Sequence, residues 1–137
     1  MNNVANYFRE HDLFAKHTGI ELVEVGDGTA LAKLKIEDHH LNSARVAHGG
    51  AIFTLADYAF AAAANSSGKI ALSINANINF LRAAPGGTLY AEAREVSLHP
   101  KLGTYSITIS DEHGELVATF QGIVYRKNED LPDWQQT

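Results

Sequence analysis

The spacing of hydrophobic residues changes several times along the 137-residue chain, and each change marks an element. Val4, Phe8, Leu13 and Phe14 recur at loosely helical intervals, so residues 2–17 read as a short helix that Gly19 stops. Residues 20–25 and 29–36 read as two strands around Gly26-Asp27-Gly28, a hairpin signal, and Ala30, Ala32, Leu34 and Ile36 alternate in the second. Residues 37–47 have no period and form a loop. Residues 48–65, HGGAIFTLADYAFAAAAN, are the one long stretch with helical character and almost no polar face. From residue 70 the period becomes two: Ile70, Leu72, Ile74, Ala76, Ile78 and Phe80 alternate with Ser73, Asn75, Asn77 and Asn79, a long strand expected to pack its apolar side on the helix. Three further strands follow, over residues 88–98, 102–110 and 116–126, separated by turns; a slip near Arg94-Glu95 points to a bulge.

Strands joined by turns imply an antiparallel sheet, and a helix apolar on most sides has to be wrapped by it. The expected class is α+β, a sheet curled around one long central helix. The length suits a single domain, and 45% apolar with 20% charged residues is ordinary for a folded protein. Eleven Lys+Arg against sixteen Asp+Glu give a net charge of −5, which argues against nucleic acid or an anionic membrane as partner; an anionic ligand has to meet a local basic cluster. The absence of cysteine removes disulfides, thiolate zinc sites and a thiol nucleophile. The polar start of the chain carries no export signal, and the longest apolar run is too short and too interrupted to span a bilayer, so a cytoplasmic protein is expected.

The chemistry concentrates in the central helix. Gly49 and Gly50 open it without side chains, leaving N–H groups approachable by an oxygen that carries negative charge. Asp57 follows about 12 Å along the axis at ~1.5 Å per residue, so one carbonyl group cannot touch both features. If they serve one reaction, the carboxylate comes from one copy of the helix and the donors from another running the opposite way. That is a symmetric dimer with two equal sites.

The run AHGGAIFTLAD, followed by NSSG and by SINANINFLR, resembles the hotdog-fold acyl-CoA thioesterases, in the branch related to the phenylacetate-degradation thioesterase. The resemblance covers about residues 19–126, implying a hotdog domain over 19–127 between an N-terminal helical segment, 1–18, and a polar tail, 128–137. It implies hydrolysis of an acyl-CoA or aryl-acyl-CoA to free acid and CoA, with no cofactor and no metal, in a homodimer that pairs into a tetramer. Asp57 is then the catalytic carboxylate, as nucleophile or as base for a water. The Gly49 N–H is the oxyanion donor, with Gly50 beside it at the substrate. Asn42 orients water or substrate, His48 orients the loop or bonds the thioester sulfur, and Ser73 helps hold the water. Asn42, His48 and Gly49 would face the partner subunit's Asp57 and the partner subunit's Ser73. Ser73, however, lies on the polar side of its strand, away from the expected helix-packing face, unless a bulge turns it inward.

Two other classes share this shape. A non-catalytic acyl-CoA sensor gains nothing from a buried acid beside the scissile bond, and a hydratase of the fold places an Asp and a His together, whereas four alanines, Ala61 to Ala64, stand after Asp57 here. Arg82 is the first candidate for the CoA phosphates and Arg45 the second, with Lys69, Arg94, Lys101 and Arg126 also eligible. His39-His40 lacks further ligands at metal spacing and reads as a solvated pair. Phe53, Tyr58, Phe60 and Phe80 either line an acyl pocket or fill the core.

Overall fold

The computed structural model describes residues 2–132. Two short helices open the chain, α1 (Asn2–His11) and α2 (Leu13–Thr18), in place of the single helix expected. Asp12 causes the break: its carboxylate accepts from the Ala15 N–H at 3.1 Å and caps α2, which Gly19 ends in the left-handed region at φ 94°. Strands β1 (Glu21–Gly26) and β2 (Thr29–Lys35) form the hairpin. After a short 3-10 turn, Asp38–His40, comes the central helix α3 (Gly49–Ala64), then β3 (Lys69–Phe80), β4 (Thr88–Leu98), β5 (Leu102–Ser110) and β6 (Leu116–Asp130). All pairings are antiparallel in one six-stranded sheet of order β1-β2-β4-β5-β6-β3. The slip anticipated in β4 is a bulge between Glu95 and Ser97. The last strand continues past Arg126 to Asp130, into the stretch expected to be tail, and residues 133–137 of that tail lie outside the described residues. No helix among the described residues is long and apolar enough to cross a membrane.

Helix α3 lies chiefly across β2, β4 and β5. Ala56, Ala59, Ala62 and Ala63 on its sheet-facing side are fully buried and small enough to bring its backbone close to Ala32, Ala91 and Ala93 of the sheet, while Leu55, Phe60, Leu89, Ile107 and Ile109 fill the spaces between. Tyr58 and Phe60 are therefore core residues, 3% and 1% exposed. The opposite side of the helix is not wrapped. Gly50, Phe53, Thr54, Asp57, Ala61 and Ala64, spaced three and four apart, stay at least partly open along its length.

Strand β3 departs most from expectation. It is an edge strand, and its alternating apolar set does not pack as one face on the helix. Opposite residues in an antiparallel pair point to the same face. Ser73 pairs with buried Val124, whereas Leu72 pairs with exposed Tyr125 on the outer face. The register then shifts between Ser73 and Asn75, leaving Ile74 as the extra residue of a bulge, after which Ala76, Ile78 and Phe80 pair with Gly122, Phe120 and Ala118. The bulge exchanges the two faces. Ala71 and Ser73 before it, and Ala76, Ile78 and Phe80 after it, all look toward the helix side, and Leu72 and Ile74 are 53% and 59% exposed.

The other edge, β1, is short, and its register also slips, between Leu22 and Glu24. There the Arg9 guanidinium donates to the Leu22 and Val23 carbonyls at 2.8–3.2 Å. Asn65 ties α3 to β3. Its buried amide donates to the Ala61 and Ala71 carbonyls at 2.8 and 3.2 Å and accepts from the Ala71 N–H at 2.8 Å. Asn65→Ala removes all three bonds and takes the side-chain partner from the buried Ala71 N–H and carbonyl, while the Ala61 carbonyl keeps the residue 65 backbone N–H, so urea unfolding should show a loss of about 2–3 kcal/mol.

Candidate functional site

The start of α3 is set by His48, whose extended backbone precedes the first turn and whose ring Nδ1 accepts from the Gly50 N–H at 2.8 Å. An accepting Nδ1 places the proton of the neutral ring on Nε2. The Ala51 and Ile52 N–H groups donate to the His48 carbonyl at 2.9 and 3.1 Å. Gly50 is therefore not a free donor, contrary to the sequence expectation. The Gly49 N–H is left without a partner among the described residues. The Phe80 ring closes over Gly49, about 3.2 Å from where a Cβ would stand.

The loop before the helix is organised by Asn42, whose side-chain oxygen accepts from the Ala44 and Val46 N–H groups at 2.9 and 3.3 Å while its backbone N–H donates to the Val46 carbonyl at 2.8 Å. This occupies the amide oxygen and leaves the amide NH2 available. Asn42, Gly49, Ile52, Phe80 and Arg82 together line a cavity of about 400 Å³. Arg82 sits there with an exposed ion pair to Glu115 at 3.2 Å, a contact of small energetic weight. Arg45 does not line this cavity; it is exposed in the turn below it, at φ 64°. On the other side of the helix start, Phe14, His17, Leu41, His48, Gly50 and Phe53 are among the residues around a second cavity of about 520 Å³. Of the four aromatic residues named from the sequence, Phe53 and Phe80 reach these two cavities, Tyr58 borders a separate one of about 310 Å³ beside Arg9 and Leu22, and Phe60 lines none of the three.

Asp57 lies half-buried on the open stripe of α3, two turns beyond the glycines. Its carboxylate has no hydrogen bond or ion pair among the described residues. Burial raises its pKa above the ordinary aspartate value, and the negative charge of Asp12 adds to the rise. An unpaired, partly desolvated carboxylate is costly and calls for a reason. Ser73 is turned by the Ile74 bulge to the same side of the sheet, yet is exposed in the single chain. One protomer does not gather the whole candidate set. Asn42, Gly49 and Arg82 share a cavity, His48 and Gly50 line the other, and Asp57 and Ser73 line neither.

Of the histidine pair, His39 is exposed as expected and His40 is not. His40 is buried, with Nδ1 accepting from the Glu37 N–H at 2.9 Å and Nε2 2.7 Å from the Thr18 carbonyl, so both ring nitrogens are spent on holding the loop against α2. Among the described residues no group of three or more His, Cys, Asp or Glu is placed to hold a metal. Two features had no sequence signal: His48 as cap, since histidine is not among the usual capping residues, and the approach of Phe80 to Gly49, which depends on the bulge.

The model of the Thioesterase superfamily matches residues 44–118. A putative esterase of Archaeoglobus fulgidus is 41% identical over 133 residues, covering 96% of this chain and 86% of its own. The acyl-coenzyme A thioesterase PaaI of Escherichia coli is 36% identical over 123 residues, covering 89% and 88%. The structure of E. coli PaaI, from the phenylacetic acid degradation operon, superimposes with a TM-score of 0.89 at 33% identity, covering 94% of this chain and 96% of that one.

The raised pKa of Asp57 has a consequence for stability. A folded-state value above the unfolded one means that the ionised form weighs against the fold at neutral pH, and that this penalty disappears as pH falls below the unfolded value. Asp57→Asn should therefore melt at a higher temperature than the parent at pH 7, and the gap should narrow as pH approaches 4, near the unperturbed aspartate value.

Proposed function

The chain belongs to the thioesterase superfamily, and from that premise we propose that it hydrolyses an acyl-CoA or aryl-acyl-CoA thioester to the free acid and CoA, at two sites shared across a symmetric dimer. The observation that carries this reading is the half-buried Asp57 carboxylate with no partner among the described residues, on the same helix as the free Gly49 N–H but about 12 Å away by the helical rise.

The edge strand supports the dimer. β3 is twelve residues long, its outer edge is unpaired among the described residues, and it exposes Leu72, Ile74 and Phe80, with exposed Leu81 just after it. Such an edge attracts another strand. A second β3 running antiparallel to the first lays a second α3 beside the first in the opposite direction, which carries the partner subunit's Asp57 toward Gly49 and the partner subunit's Ser73 toward Asn42. The open stripe of α3, with exposed Leu13 and Phe14 on α2, offers such dimers a surface for pairing into a tetramer.

In the site so formed, the thioester carbonyl oxygen lies at the Gly49 N–H, and the acyl group takes the 520 Å³ cavity, a size usual for small-molecule sites. The partner subunit's Asp57 either attacks the carbonyl carbon, giving a mixed anhydride that water then hydrolyses to the free acid, or takes a proton from a water that attacks the carbonyl itself; the Asn42 amide and the hydroxyl of the partner subunit's Ser73 hold that water. As the tetrahedral intermediate collapses the C–S bond breaks, and the His48 Nε2–H faces the departing sulfur. With Gly50 committed to its cap, the developing oxyanion meets one backbone donor, worth about 2.7–4 kcal/mol of barrier.

Asp57→Asn should lower kcat for thioester hydrolysis by a factor of about 10²–10⁴ or more while CoA still binds; near-normal turnover would defeat the assignment. The acid limb of the rate profile should lie above the ordinary aspartate pKa, because only ionised Asp57 attacks and its pKa is raised. Gly49 is the first helical residue, and His48 before it is extended (φ −61°, ψ 137°), so proline fits the backbone there while deleting the N–H. Gly49→Pro should lose about 10²–10³ in kcat relative to Gly49→Ala, which adds the same Cβ against Phe80 but keeps the donor. Equal rates for the two variants would rule out Gly49 as oxyanion donor.

A further inference from the structure

We propose that His40 is a positioning residue for the thioester reaction: its neutral imidazole fixes the register of the loop that places the Gly49 N–H, and its imidazolium lets that loop go. The assignment rests on the acyl-CoA reading above and adds a residue that acts through Gly49, not on the reacting carbonyl.

The segment between β2 and α3 has little regular structure of its own, a 3-10 turn and a single bridge between Leu41 and Ala47. Among the described residues, 37–47 make hydrogen bonds to other elements at three points: the Ala47 N–H to the Ala84 carbonyl at 2.8 Å, the His40 Nε2 to the Thr18 carbonyl at 2.7 Å, and the His40 carbonyl to the His48 N–H at 2.7 Å. Two of the three belong to His40. At the loop entry the His40 N–H donates to the Glu37 carbonyl, and the Glu37 N–H donates to the His40 Nδ1, both at 2.9 Å. One residue, 4% exposed, thus joins the entry of the loop, the end of α2 and the cap of α3. Gly49 follows His48 directly. From the imidazole to the proposed oxyanion donor the path is one backbone hydrogen bond and one peptide unit.

This bonding pattern admits one charge state of the ring. With Nδ1 accepting, the single ring proton is on Nε2, where the Thr18 carbonyl takes it. A second proton turns Nδ1 into a donor that faces the Glu37 N–H, so one bond is lost and two donors oppose each other in a buried place. The neighbours do not offset the added charge. His17 of α2 and His48 before α3 border the same cavity as His40, and the His39 ring centre is 3.9 Å from that of His40; all three bring like charge as pH falls. The carboxylates of Glu37 and Asp38, on the same turn, belong to exposed residues and make no ion pair with it. Loss of the ring's two bonds frees the His40 carbonyl and, with it, the backbone that aims Gly49. A misplacement of about 1 Å at a reacting centre costs on the order of a hundredfold in rate.

Turnover of an acyl-CoA by the full chain, followed between about pH 8 and pH 5, where histidines change charge, tests this. The side chain of His40→Asn can accept from the Glu37 N–H but falls short of Thr18, that of His40→Gln can donate to Thr18 instead, and neither titrates. Each should lower kcat near pH 8 by about ten- to a hundredfold with little change in KM. As pH falls the gap to the parent should close, because the protonated parent has the same loosened loop, while Asp57 and His48 titrate in all three proteins and cancel in the ratio. Parental kcat in both variants, or a gap that stays constant with pH, would overturn the proposal. In Gly49→Pro chains, which lack the donor, His40→Asn should cost almost nothing further; a loss that multiplies through in full would show that His40 does not act through Gly49. Failure to cleave any thioester would defeat the thioesterase reading instead. The loop is then judged, as it is if the variants do not fold, by nitrogen-15 NMR of the parent chain. The His40 ring and the Gly49 amide should titrate with one midpoint, and a Gly49 amide indifferent to that titration would overturn the coupling.

Discussion

The fixed length of α3 governs the rest of this molecule. Its sheet-facing alanines seat it closely on β2, β4 and β5, and Asn65 anchors its far end to β3. A donor at its first residue and a carboxylate two turns later are therefore held apart by the helical rise between them. On the proposed reading, the unpaired Asp57 and the bare Gly49 amide are two parts of one site that a second, oppositely directed copy of the helix would complete.

Much of this was legible in the sequence because it depends on local chemistry. The glycines before the helix, the lone acid within it and the alternation of β4 and β5 are properties of neighbouring residues, and the elements appeared where those patterns put them. The misreadings come from interactions that pattern does not encode. Alternation assigned Leu72 and Ile74 to the core because a regular strand has two constant faces, but the Ile74 bulge exchanges the faces midway, and an edge position removes the neighbour that would have buried them. Asp12 broke the first helix because a carboxylate can cap as well as be solvated, and His40 went inside because two backbone partners, Glu37 and Thr18, were waiting for its ring. Gly50 reads as a free donor from the sequence because its competitor, His48, acts through a ring nitrogen rather than a usual capping oxygen.

The same separation of local from assembled features holds for charge. A net charge of −5 describes the whole chain, yet Lys69, Lys101, Arg126 and Lys127 converge only after three segments distant in sequence have folded. Composition sets the average field, and topology sets where it reverses sign. The sequence offered Lys69, Lys101 and Arg126 as separate candidates, and only the sheet register brings them together and adds Lys127.

The two borders of the sheet are unlike, and the difference limits growth. At β1 the strand is short and kinked, and the Arg9 guanidinium already occupies two of its carbonyls, so little remains for a newcomer to grip. At β3 the border is long and bare. A ribbon that can be extended at one rim only, by an identical ribbon turned end for end, consumes its sole adhesive rim in the act of joining. If chains join as proposed, self-association through this sheet would end at a couple and would not propagate into a fibre, even though each separate chain presents an unprotected rim.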